Sequence, residues 1–533
     1  MKTMKKIMVL LLSILMVIGT TMVTSFAEGD TFTITINKDA SDKAAHTYGA
    51  YQMFKGDLTV KDNNTILSNI QWGDNLNSAT LITELNKIQG ITLAANATAT
   101  EVAKAISDKN YAADSDGAKA LAEAVNKAVT GDPKGTAAVA ADAKSGVISG
   151  LTAGYYLVKD TAAVTGEGAS TKYILQVVKN VEVTEKASVP TVEKTVGTEN
   201  KKVADYNIGD DVPYTITGTL PSEFAKFETY KKYTFTDTMT DGLTPPAANA
   251  VTVKIGEDDI TSLFDVTVSG QVLTVSLKSG VDLKTATHGS NNTKFAANDR
   301  IVVSYSAKLN DNAVIGGTGN INTVNLQFSN NPNSDGDGDT GTTPDDKTVV
   351  FTYKIVADKV EPTSDAAIDK TAYDALTDGQ KKEYVKIGDK YQKVTPLAGA
   401  GFTLYKADGT TVVKEIAAGT TTSFVFNGVD AGTYVLKETT VPEGYNKVAD
   451  ITITVTATYD ESKKPPEITN LTCTPASFVA TATTGTVEGK ILNEKGSELP
   501  STGGMGTTIL YIIGGALVVI CGIMLVAKKR TGK

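Results

Sequence analysis

Lys359, Glu438 and Asn493 are residues whose types and spacing could make a covalent bond unaided. Lys359 lies on an apolar, strand-like run. Glu438 ends a second run just ahead of Pro442-Glu443-Gly444-Tyr445-Asn446, and Asn493 closes the last run before residue 497. A lysine amine buried among apolar side chains loses its proton, because burial desolvates the charged form, and it then becomes a nucleophile. A carboxyl in the same dry pocket stays protonated, so it can polarise the Asn carbonyl and shuttle a proton to departing ammonia. The product is a Lys-to-Asn side-chain amide, formed once and without a cofactor. Val487, Gly489, Ile491 and Asn493 share one face of a strand, which points Asn493 at a core. The competing reading leaves Lys359 and Asn493 exposed and makes Glu438 a turn cap, since Lys and Glu are rarely buried. The full spacing outweighs it.

A second chemistry-bearing pattern is Leu499-Pro500-Ser501-Thr502-Gly503, followed by an apolar segment over 509–527 and then Lys528, Lys529 and Arg530. Nineteen helical residues rise about 28 Å, close to the thickness of a bilayer core, and the basic tail would stay on the cytoplasmic side. The order of pentapeptide, apolar span and basic tail resembles the LPXTG sorting signal of Gram-positive surface proteins. That resemblance implies sortase cleavage between Thr502 and Gly503 and transfer of the threonyl carbonyl to an amine; the alternative is a permanent single-span membrane protein. At the other end, residues 1–6 carry three lysines and no acid, 7–18 are apolar, and Ser25-Phe26-Ala27 is a small-residue exit. This reads as a secretory signal peptide cleaved after Ala27, the apolar run being too short for a comfortable membrane anchor.

Two cysteines are present and Cys521 falls in the apolar span, so no disulfide framework can brace the body and something else must supply its strength. The two histidines, His46 and His288, read as surface or turn residues. Without CxxC, HExxH or Ser-His-Asp patterns, metal hydrolysis and acyl-enzyme chemistry lack parts, and no cofactor or metal is expected. A formal charge of −9 without a basic stripe makes nucleic acid an unsuitable partner.

The elements that must position these residues are short strands. Alternating apolar and polar positions over 32–36, 212–219, 266–277, 301–309, 351–360 and 451–455, separated by Gly, Asn, Asp and Pro, predict a mainly β chain of tandem immunoglobulin-like β-sandwiches. Residues 91–129, rich in Ala with Glu, Lys and Leu at helical spacing, predict a helical insertion in the first module. The expected division is a signal peptide over 1–27, an N-terminal module over 28–189, a middle module over 190–332, a linker over 333–346, a last module over 347–497 and the sorting signal with its transmembrane helix over 498–533. The Asp/Gly run in 333–339 reads as a solvated linker and not a calcium loop, since it lacks the later Glu of an EF-hand. Ala153-Gly154-Tyr155-Tyr156-Leu157-Val158-Lys159-Asp160 partly repeats as Ala431-Gly432-Thr433-Tyr434-Val435-Leu436-Lys437-Glu438, with an acid at the end of each copy.

The pattern around Lys359, Glu438 and Asn493 resembles the CnaB-type fold of Gram-positive pilins, whose E-box Glu sits in Y-x-L-x-E-T-x-x-P-x-G-Y. The middle module looks like the CnaA-type domain of backbone pilins, in which Asp serves as the acid. That resemblance assigns Lys194, Asp237 and Asn322, with Asn330 as the alternative, because Asn322, Val324, Leu326, Phe328 and Asn330 share one face. It also implies an exposed linking lysine ahead of the middle module, in a V-x-V-Y-P-K-N-like motif. Here Val181-Glu182-Val183-Thr184-Glu185-Lys186 stands at that place, with Thr184-Glu185 where Tyr-Pro is usual and Ala187 where Asn is usual. Lys186 is therefore the first candidate and Lys179, followed by Asn180, the second. An ordinary solvated lysine is the competing reading. The first module resembles pilin N-terminal domains but offers no evident Lys–acid–Asn set.

Taken whole, the chain is similar to sortase-assembled, isopeptide-forming backbone pilins. The resemblance implies a structural protein and not an enzyme, peptidoglycan-anchored at the cell surface. Its implied partners are a class C-type pilus sortase, a housekeeping sortase, copies of itself, peptidoglycan and tip or basal pilins. The alternative is a monomeric wall-anchored adhesin.

Overall fold

The computed structural model describes residues 31–38, 42–61, 64–111, 115–162, 164, 166, 168–185, 188–332, 339–496 and 506–530. The chain is mainly β, as expected, in three successive units. In the first, strand Phe32–Asn37 lies between Ser145–Leu151, antiparallel, and Val181–Thr184, parallel. A second sheet is built on the long strand His46–Lys61, which pairs with Asn64–Trp72, Gly135–Val139 and Gly154–Asp160. The helical stretch is present as Ala99–Asp108 and Asp116–Ala128, the former opened by a reciprocal Thr98/Glu101 capping box. A further helix, Ser78–Leu85, precedes the expected stretch; it is capped by Asn77 and buries Leu81, Ile82 and Leu85. Two turns are too short for the helical period to stand out.

The middle unit packs two sheets. Strand Asp211–Thr219 runs between Val192–Val196 and Arg300–Leu309, and Tyr233–Met239 runs between Val272–Leu277 and Asn320–Ser329. Alternate residues of Asp211–Thr219 are buried, the period-2 signature of a strand with one face on a core. The alternating stretch at 266–277 is a hairpin of two strands, turning at Gly270, which takes a positive φ. In the last unit the first strand, Tyr353–Pro362, and the final one, Thr486–Leu492, are parallel neighbours, in register from Lys354↔Thr486 to Val360↔Leu492. The facing sheet carries Gly401–Lys406, Gly432–Thr440 and Ile451–Asp460.

The expected linker over 333–346 needs correction. Residues 333–338 lie outside the described ones, but Thr340–Thr342 and Asp346–Phe351 both pair with Asn320–Ser329, inside the middle sheet. Val350 packs into the middle core while Val349 and Phe351 pack into the last one. Because successive strand residues face opposite ways, one strand is held by two cores. The Asp/Gly composition next to it hid this strand.

Residues Gly506–Arg530 form one helix, exposing Leu510, Ile512, Leu517, Val518, Ile523 and Leu525 among its apolar side chains. Among the described residues no helix is long and apolar enough to cross a membrane.

Candidate functional site: two buried lysine clusters

In the last unit, parallel pairing of the first and final strands brings Lys359 beside Asn493, whose backbone N–H donates to the Val360 carbonyl at 3.0 Å. Lys359 Nζ donates to Asn493 Oδ1. From the facing sheet Glu438, opposite Phe402 in the ladder, completes the cluster. Its Oε1 lies 2.9 Å from Lys359 Nζ and accepts from Asn493 Nδ2 at 3.0 Å, while Oε2 accepts from the Val448 N–H at 2.8 Å. All three side chains are buried, Lys359 completely. Lys359 Nζ sits 5.3 Å from the centre of the Phe402 ring. Burial pushes the Lys359 amine below its ordinary pKa, against the opposing pull of Glu438. A nucleophile, an acid and an amide carbonyl are thus in contact in a water-poor core, the arrangement that amide exchange requires. Downstream, Tyr445 of the E-box pattern donates to Glu361 at 2.5 Å and bridges Lys495, fixing the end of the final strand.

The middle unit repeats the cluster with a different wiring. Lys194 faces inward from Val192–Val196, completely buried, and its Nζ donates to Asp237 Oδ1 at 2.6 Å and to Tyr305 Oη at 2.8 Å. Asp237 comes from Tyr233–Met239 and Asn322 from its neighbour Asn320–Ser329 in the opposite sheet. Asn322 Nδ2 donates to Tyr305 Oη at 2.8 Å, and Tyr305 donates to Asp237 Oδ2. Tyr214 stacks on Tyr305, ring centres 5.4 Å apart, and lies 4.9 Å from Lys194 Nζ. Burial dominates here too, lowering the pKa of Lys194 despite Asp237. Tyr305 went unnoticed in the sequence, although Ile301, Val303, Tyr305, Ala307 and Leu309 mark the buried face of its strand.

Asn330, the alternative partner, sits elsewhere. Its Nδ2 donates to the Val164 and Gly168 carbonyls at 2.6 and 3.0 Å, tying the first unit to the middle one. Strand parity could not separate it from Asn322; eight residues along the strand do. Lys186 and the pentapeptide Leu499, Pro500, Ser501, Thr502 and Gly503 lie outside the described residues. Lys179 is exposed.

The reading of His46 as a surface or turn residue is wrong. His46 is buried, stacked on Tyr48, with Nδ1 bonded to Asp160 at 2.9 Å and Nε2 to Asp42 at 3.1 Å. Burial alone would lower its pKa, but hydrogen bonds and charge from Asp160 and Asp42 raise it to about 9. Its alternation with Tyr48 and Ala50 was the available signal. Asp160, the acid of the partial repeat, therefore holds a histidine where Glu438 holds a lysine. Glu185, one residue before Lys186, is buried and accepts from Tyr48. The ligand atoms of Asp42, His46 and Glu185 lie within 4.8 Å of one another, a spacing a metal ion could span. Carboxylates on both ring nitrogens instead make this the environment of an imidazolium.

Two family models match parts of this chain. Residues 208–332 match the family described as Gram-positive pilin backbone subunit 2, Cna-B-like domain. Residues 383–470 match the SpaA prealbumin-like fold domain. Two segments of this chain are thus similar to Gram-positive pilin domains. The trypsin-resistant surface T6 protein of Streptococcus pyogenes serotype M6 is 26% identical over 278 residues, covering 49% of this chain and 44% of that protein. The chain thus spans less than half the length of that curated relative. Among solved structures, the T6 backbone pilin of the same serotype aligns with 89% of this chain and 100% of its own at 18% identity and a TM-score of 0.49. The full-length major pilin SpaD of Corynebacterium diphtheriae aligns with 88% of this chain and 98% of its own, at 18% identity and a TM-score of 0.47.

Proposed function

We propose that this chain is the structural backbone subunit of a sortase-polymerised pilus anchored covalently to peptidoglycan, stiffened by Lys359–Asn493 and Lys194–Asn322 amides. The observation that carries the reading is the buried contact of Lys359, Glu438 and Asn493, which unites the first and final strands of the last unit. An amide there would route tension through a covalent bond before the parallel strand pair could shear. A Lys194–Asn322 amide would instead tie the two sheets of the middle unit together. In both cases the lysine attacks the Asn side-chain carbonyl as a neutral amine, and in the last unit Glu438, which meets the Asn493 amide nitrogen, assists departure of ammonia. No enzyme active toward an external substrate is part of this reading.

Thr502 is the carbonyl donor to a neighbouring subunit, and Lys186 the acceptor amine, with Lys179 as the alternate. A class C-type pilus sortase makes that link and a housekeeping sortase attaches the finished polymer to the wall. The apolar tail over 509–527, followed by Lys528, Lys529 and Arg530, holds the exported chain at the membrane surface until cleavage, a role supported by the exposed apolar side chains of its helix. The test is an SDS gel of protein released from the wall by mutanolysin. A ladder of very large species that disappears with Lys186→Ala is expected; a single band from the unaltered chain would favour a monomeric adhesin.

A further inference from the structure

We propose that Tyr305 is a catalytic residue of the middle unit's cross-link, carrying the proton from the Lys194 amine to the departing nitrogen of Asn322. This rests on the cross-linking function proposed above. The two clusters differ in how the asparagine is held: Lys359 donates to Asn493 Oδ1, whereas Asn322 Oδ1 has no partner among the described residues. In the last unit a single carboxylate oxygen, Glu438 Oε1, meets both the lysine amine and the amide nitrogen of Asn493. In the middle unit Asp237 meets the lysine, but the amide nitrogen of Asn322 donates to Tyr305.

The tyrosine hydroxyl uses its full bonding capacity. It accepts from Lys194 Nζ and from Asn322 Nδ2, each at 2.8 Å, and donates to Asp237 Oδ2. It therefore touches both nitrogens that exchange places on the amide carbon. Asn322 Oδ1 is buried with no hydrogen-bond partner among the described residues, so the carbonyl is not activated through its oxygen. What remains is to make the leaving nitrogen a better leaving group by protonating it. Burial holds the Tyr305 phenol well above its ordinary pKa, so the hydroxyl keeps its proton until the step needs it.

The step balances without any further reactant. Lys194 enters as the neutral amine, and Nζ forms a bond to Asn322 Cγ. One Nζ proton passes to Tyr305 Oη while the hydroxyl, turning its O–H from Asp237 Oδ2 to Nδ2, gives its own proton to the leaving nitrogen. The Cγ–Nδ2 bond breaks and ammonia leaves, so the tyrosine and Asp237 end as they began. Asp237 accepts from both Nζ and Oη, so it stabilises the positive charge that builds on the attacking nitrogen.

The experiment follows cross-link formation in cells making the full chain, by pulse labelling, release from the wall, tryptic digestion and mass spectrometry. Tyr305→Phe keeps the ring stacked on Tyr214 and removes only the hydroxyl. The Lys194–Asn322 peptide is expected to form about 100-fold more slowly, in the range lost with a general acid–base group. The Lys359–Asn493 peptide should form at its usual rate, reporting that the chain was exported and folded. Installing 3-fluorotyrosine at 305, which restores a more acidic hydroxyl, should recover the middle cross-link with its pH–rate profile moved to lower pH. Formation at the unaltered rate in Tyr305→Phe, or an unmoved profile with fluorotyrosine, overturns the role of Tyr305. Absence of the Lys194–Asn322 peptide from the unaltered chain would instead overturn the cross-link on which it rests.

Discussion

Glu438→Gln keeps the size and most of the hydrogen bonding of the last unit's cluster but removes the acid, so the Lys359–Asn493 amide should not form. The purified protein should then keep one ammonia, about 17 Da, and because Glu→Gln itself removes about 1 Da, its intact mass should be about 16 Da above that of the unaltered protein. The stability consequence follows from the separation of the two residues, 134 positions. Closing a loop of that length removes conformational freedom from the unfolded chain worth about 5 kcal/mol at 25 °C, by the same chain-entropy relation used for disulfides. At roughly 2–4 °C per kcal/mol for a unit of this size, the calorimetric transition of the last unit should fall by about 10–20 °C. Lys359→Met, which removes the nucleophile and leaves no buried amine, should show the same mass-spectrometric absence of the cross-linked peptide. The middle unit's transition should not move in either variant. A Glu438→Gln protein only about 1 Da lighter than the unaltered one, its ammonia lost, would refute the acid's role. A retained ammonia with an unmoved transition would refute the loop-closure account of what the bond contributes.

Three other outcomes are expected. Because His46 has a folded pKa of about 9 against an unfolded value of about 6.5, its contribution is fully present below 6.5 and is lost as pH rises through 9; it amounts to about 3 kcal/mol. Hydrogen exchange along strand His46–Lys61 should accelerate beyond its intrinsic pH dependence over that interval, and His46→Ala should abolish the excess. A Cβ added at Gly316 would lie 2.1 Å from the Gly485 backbone nitrogen, so Gly316→Ala should separate the middle and last units, seen as earlier proteolysis near residue 352. Since burial lowers the Lys194 amine, the rate of Lys194–Asn322 bond formation should climb with external pH while the pH lies below that lowered value, and pulse labelling at two pH values measures it.

The partition between sequence and structure is visible in individual residues. Alternation of apolar and polar positions announced strands such as Asp211–Thr219 and Arg300–Leu309, because a strand with one face on a core must repeat every second residue. The parity of Asn493 pointed to a core for the same reason, while the choice of Glu438 as its acid came from the resemblance of that stretch to the E-box. Parity is a one-dimensional constraint, however, and left Asn322 and Asn330 equivalent. It also left Tyr305 unremarked, one buried aromatic among many. Which asparagine meets Lys194, and through which hydroxyl, depends on how two sheets are stacked, a relation between strands about a hundred residues apart that no local period encodes. The Asp/Gly-rich stretch hid the strand Asp346–Phe351, whose order comes from two cores that lie far from it in sequence. His46 was misplaced because a histidine's burial is decided by its counter-charges, here Asp42 and Asp160, and only folding brings Asp160 to it. The sequence by itself determined the chemistry on offer: lysines, acids and asparagines on alternating strands, and an apolar tail behind Leu499-Pro500-Ser501-Thr502-Gly503. Tertiary structure alone decided which atoms touch, because strands bury alternate residues locally but choose their partners through the packing of the whole sandwich.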